Sequence, residues 1–77
     1  MRGIINYIKD NEFRMNVLEK KINIINYKEL LSMEEDKILL LTSIGKIIIK
    51  GNDLTVTKLL NKELLIVGNV TNIEIGD

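Results

Sequence analysis

The sequence predicts an all-β fold, a small antiparallel β-sandwich or partly open barrel of about six to seven short strands. Three observations predict it. Apolar or alternating runs recur at regular spacing from about residue 13 onward. Brief polar, charged or glycine-containing turns separate them. No connection has the dozen or more residues that a crossover between parallel strands needs, so the pairing is antiparallel.

Residues 3–12 stand apart. Ile4, Ile5 and Ile8 have helical spacing, which fits a short N-terminal helix or arm over residues 1–12. The first strand is expected over 13–18, before the charged turn Glu19-Lys20-Lys21. Residues 22–27 follow, with Ile22 and Ile24 on one face. Residues 28–33 continue this run after a bend, and the acidic turn Glu34-Glu35-Asp36 ends it. Lys37–Thr42 is apolar on both faces, as a central strand is.

The clearest hairpin signal comes next. A glycine opens the stretch Gly45-Lys46-Ile47-Ile48-Ile49-Lys50-Gly51-Asn52-Asp53-Leu54, an alternating run follows, and a second glycine closes it. Ile47 and Ile49 face one way. Gly51 and Asn52 tolerate positive φ, so 51–53 is expected to be a turn. Residues 54–59 alternate again, with Leu54 and Val56 inward and Thr55 and Thr57 outward. Asn61-Lys62 makes a short turn into an apolar strand over 63–67. Gly68-Asn69 has the form of a two-residue hairpin turn with glycine first, and residues 70–75 close the sheet. The structural turn residues expected from this reading are Gly45, Gly51, Asn52, Gly68 and Asn69.

Composition narrows the function. A chain of 77 residues makes one domain, with a single β domain over 13–77. At this size folding buries only about 60% of the unfolded chain's surface, so the core is thin. The chain has no cysteine, which excludes disulfides and thiolate metal sites, and oligomerisation is the remaining common remedy. A homo-oligomer is therefore expected. Histidine is absent as well, so the usual general base and the best nucleophile are both missing, and no enzyme is expected. Glu34, Glu35 and Asp36 lack the alternate oxygen ligands of a calcium loop and read as a solvated turn. Gly45 and Gly51 precede strands, whereas a phosphate loop precedes a helix. No cofactor or metal is expected.

Eleven basic residues balance eleven acidic ones, which argues against strong non-specific attraction to nucleic acid. Tyr7, Tyr27 and Phe13 are too scattered to form a stacking platform. No apolar run exceeds the length of Ile38 to Leu41, well short of the roughly 20 residues of a bilayer span. The start lacks a signal-peptide pattern, and a cytoplasmic protein is expected.

The order and spacing of these pieces carry a resemblance over residues 22–77. The pieces are Ile24-Ile25-Asn26-Tyr27-Lys28-Glu29-Leu30-Leu31-Ser32, Glu35-Asp36-Lys37-Ile38-Leu39-Leu40, the Gly45 to Gly51 run, Leu54-Thr55-Val56, Leu64-Leu65-Ile66-Val67-Gly68, and a last aliphatic strand ending in Asp77. In these the chain resembles the YabP/YqfC family of sporulation proteins, more closely its YqfC-like branch. Met33 and Ile75 stand where that family usually carries aromatics. The resemblance implies a small, sandwich-like, non-enzymatic protein needed for endospore formation. It also implies action through protein contacts with a membrane-bound sporulation partner, and it supplies no catalytic or ligand residue. The alternative is an Sm-like RNA-binding barrel, because Ile49-Lys50-Gly51-Asn52 is similar to the second Sm motif. Against it, the first Sm motif has no counterpart over 22–42, and more than twenty residues follow the second.

Overall fold

The computed structural model describes residues 12–76. The arm or helix expected over residues 1–12 lies outside the described residues, except for Glu12. Six strands form one open antiparallel sheet: β1 (Arg14–Val17), β2 (Lys21–Ile25), β3 (Glu29–Met33), β4 (Lys37–Thr42), β5 (Gly45–Leu60) and β6 (Glu63–Gly76). Their order across the sheet is β1-β2-β6-β5-β4-β3. The all-β antiparallel class is as expected, and no helix occurs among the described residues.

Two expectations are corrected. The segments 46–50 and 54–59 are collinear parts of the 16-residue strand β5. The segments 63–67 and 70–75 are likewise parts of the 14-residue strand β6. Gly51, Asn52, Gly68 and Asn69 therefore sit inside strands, where the chain bends without reversing. The physical cause is a set of bulges. The register between β5 and β6 slips between Lys50 and Gly51, between Asn52 and Thr55, and between Val56 and Lys58. Each extra residue kinks its strand and increases the local twist. Asp53, with φ 55°, and Gly68, with φ 144°, absorb the unusual backbone angles. The second correction concerns residues 28–33, which do not continue the run of 22–27 but form the separate strand β3, four places from β2, while β2 pairs with β6.

The bends let one sheet enclose a core. The first half contains β1, β2, the start of β6 and the end of β5. The second contains β3, β4, the start of β5 and the end of β6. A flat sheet cannot satisfy the short connection between β2 and β3. These strands lie four places apart, roughly 19 Å at normal strand spacing. The step from Ile25 to Glu29 covers at most about 14 Å. The sheet must therefore curl, and backbone hydrogen bonds hold the curl. Asn26 N–H donates to Lys62 O at 2.6 Å, and Lys28 N–H donates to Leu41 O at 2.7 Å. At the bend, Leu54 N–H donates to Glu35 O at 2.8 Å, and Gly68 N–H donates to Lys20 O at 3.1 Å.

The inward rows follow from the register. Ile22 pairs with Ile66, which pairs with Val56, and Ile24 pairs with Leu64. In the other half Ile38 pairs with Ile49 and Leu40 with Ile47. These eight isoleucines and leucines are fully buried and form one cluster with Leu54. Phe13, Met15, Tyr27, Leu30, Val56, Val70 and Ile73 pack around it.

Thr42 is the one buried polar residue among those described, at 3% exposure. Its hydroxyl donates to Gly45 O at 2.7 Å and accepts from Ile44 N–H at 3.2 Å. It thereby caps the turn from β4 into β5. Thr42→Val keeps the shape and removes both side-chain hydrogen bonds, so a loss of about 1–2 kcal/mol is expected. A lower urea midpoint with an unchanged slope would show it, and an unchanged midpoint would refute the cap.

Candidate functional site

The chemistry-bearing side chains do not converge. Glu34, Glu35 and Asp36 are exposed, and the backbone carbonyls of Glu35 and Asp36 accept hydrogen bonds from Leu54 and Gly51. Their role is to tie the turn between β3 and β4 to the bend of β5. No group of three or more metal-binding side chains occurs among the described residues. Ser43 lies exposed in the turn between β4 and β5, and Thr57 Oγ1 donates to Leu65 O at 3.4 Å. Tyr27 and Phe13 are half-buried against the core.

The expected turn residues have a structural setting. Gly45 opens β5 directly after the Ser43-Ile44 turn. Gly51 pairs with Val70 and Asn52 with Asn69, so four of the five flank the same bend. Lys50 Nζ donates to Glu74 Oε2 at 3.3 Å on the outer face. The space over Gly51 is filled by the backbone of Asn69. Lys50-Gly51-Asn52 thus belongs to the strand crossing, with its glycine covered.

Free sheet edges and exposed apolar side chains are what the arrangement offers for function. The curl leaves four edges: β1, β3, the end of β5 past its pairing with β4, and the end of β6 past its pairing with β2. Unpaired N–H and C=O groups along an edge are a template for another strand. Three edges carry devices that discourage this. β1 has four residues and begins with Arg14. β3 is broken by a bulge at Leu31, between Leu30 and Ser32. The end of β5 carries Lys58 and its own bulge. The end of β6 has a bulge at Thr71 and the charge of Glu74, but past the bulge residues 72–76 pair one-for-one with 46–50 and contain no lysine, arginine or proline.

Leu31 and Met33 on β3 and Leu59 and Leu60 on the end of β5 are exposed apolar residues, and three more lie along that last edge and its groove. Ile75 is 59% exposed, although it pairs with fully buried Ile47 and shares its face. Val17, at 55%, pairs with buried Ile22, and Leu18 is 56% exposed. A groove of about 380 Å³ runs between Val17-Leu18-Glu19 and residues 70–73 of β6. A second opening of about 310 Å³ lies among Asn26, Tyr27, Lys28, Ser43 and Lys62, where three loops meet. Sequence reading missed the edge because it takes residues 70–75 as the closing strand without showing which neighbours that strand lacks. The signal was present in the run from Asn72 to Gly76, an alternating strand without lysine, arginine or proline.

No helix among the described residues is long and apolar enough to cross a membrane. No curated protein and no solved structure matches the chain. The family model that does match, over residues 10–77, is that of the YabP family.

Proposed function

The chain belongs to the YabP family, and from that membership we propose a non-enzymatic sporulation protein of the YqfC-like branch. In this reading it acts in the cytoplasm of the sporulating cell, as a protein–protein interaction module for a membrane-bound sporulation partner. The carrying observation is the extent of the match. Residues 10–77 take in all six strands, so the whole described fold is the family's domain. The free edges support a docking role, because a strand added to an edge gains main-chain hydrogen bonds while alternate side chains give specificity. The scattered polar groups support a role without catalysis. An Sm-like role draws no support from the bend, where Lys50 engages Glu74 and the Asn69 backbone covers Gly51.

Deleting the gene in the source organism and counting heat-resistant spores tests the proposal. A severe loss of spores with normal vegetative growth is expected, restored by an intact copy. Normal sporulation in the deletion strain would reject it.

A further inference from the structure

The geometry points to the end of β6 as a self-association edge, with a second copy of this chain as its occupant. This rests on the reading of the protein as an interaction module and names one partner for it. Residues 72–76 form a five-residue free edge that pairs one-for-one with β5 on its other side, carries no basic residue and ends at a bulge at Thr71. Natural sheets leave an edge in that state where something covers it.

The edge is complementary to itself in one antiparallel register. A two-fold axis through Ile73 sets each Ile73 against its copy and Asn72 against Glu74, and brings Ile75 to the bulge at Thr71. The alternative centred on Glu74 would place two carboxylates directly opposite, which is destabilising. The favoured register instead sets an amide donor against a carboxylate twice. Within one chain Asn72 Nδ2 already donates to Glu74 Oε2 at 2.8 Å, so the two groups are compatible. Charge is balanced as well, because Lys50 lies on the same carboxylate.

The same register accounts for the exposure of Ile75, Val17 and Leu18. Ile75 of one copy falls at Thr71 of the other, in the groove walled by Val17, Leu18, Val70 and Ile73. Two-fold symmetry repeats the contact, so both exposed isoleucines and both grooves are covered at once. The inner face then runs on across the junction, since Ile73 and Ile75 share the faces of Ile49 and Ile47. A thin single-chain core gains a larger shared one.

Sedimentation equilibrium on the full 77-residue chain tests the inference. A dimer is expected at micromolar concentration. Ile75→Lys alters an exposed residue and is expected to weaken association about tenfold or more, as loss of a buried anchor does, with a native circular dichroism spectrum. The chain has no cysteine, so oxidation of Ile73→Cys reads the register directly. A covalent dimer is expected there and not with Ser43→Cys, which lies in a turn outside this edge. A monomeric full chain would overturn the inference. So would a dimer indifferent to Ile75→Lys, or one that forms only when residues 1–11 are removed, since the chain's own start would then hold the edge. Spore counts separate the two readings. A monomer that supports sporulation sinks the dimer alone, whereas a dimer dispensable for spores sinks the functional reading alone.

Discussion

Gly51→Ala and Gly68→Ala are each expected to lower the melting temperature by about 12 °C or more, the equivalent of roughly 3 kcal/mol in a domain of this size. A methyl group on Gly51 would collide with the carbonyl oxygen of Asn69 and lie 3.0 Å from Val70 Cα. One on Gly68 would lie 2.6 Å from Asp53 O and 3.0 Å from Leu54 Cα, at a φ of 144° that side chains resist. These neighbours are backbone atoms of the facing strand. Relief therefore requires β5 and β6 to move apart where they cross, and the enclosed core depends on that crossing. Gly76→Ala is the control, because nothing lies within 4 Å of the added carbon. Thermal melts followed by circular dichroism compare the three. Equal melting of Gly51→Ala and Gly76→Ala would mean that the strands do not cross this closely.

Ile66→Ala is expected to cost about 2–5 kcal/mol, the range for removing most of a buried aliphatic side chain. Ile66 is fully buried between Ile22 of β2 and Val56 of β5. Truncation there opens a hole on the line that ties the two hairpins together. Total stability for 77 residues is of order 4–12 kcal/mol, so the variant populates unfolded chain readily. Leu60→Ser, at a half-exposed position beside the tip of the β5–β6 hairpin, is expected to stay within about 0.5 kcal/mol of the parent. Urea titrations of both variants give the comparison. A small loss at Ile66 would show that the core tolerates a cavity its size does not suggest.

The inward faces were legible because alternation is a local property. Ile22 and Ile24, Ile47 and Ile49, and Leu54 all point inward as the pattern requires. Lys37–Thr42 is a strand over the expected span, bordered by β3 and β5. The bends at 51–53 and 68–69 were not legible, for a specific reason. Glycine inside a β pattern marks either a turn or a bulge, and local sequence is the same in both. The choice is made by the facing strand, since Gly51 lies against Asn69 and Gly68 against Asp53. Strand order was hidden for a related reason: β2 reaches β6 across most of the chain. The candidate edge inherits that limit, because a strand is an edge only once its neighbours are known. Family membership was legible from spacing, and the match over residues 10–77 agrees with it.

The short link between β2 and β3 has a consequence for how the molecule assembles. Among themselves, strands β3 to β6 pair only with sequence neighbours, so this block can zip up through short loop closures. The β1–β2 hairpin instead attaches through Ile22 to Ile66 and Ile24 to Leu64, contacts distant in sequence whose loop-closure cost falls late. This hairpin, tethered by three residues at the β3 side, is expected to act as a latch that closes last and opens first. Its far end carries Val17 and Leu18, which wall the groove beside β6. Access to that groove is therefore timed by the latch, and a contact made there reports on whether folding has finished.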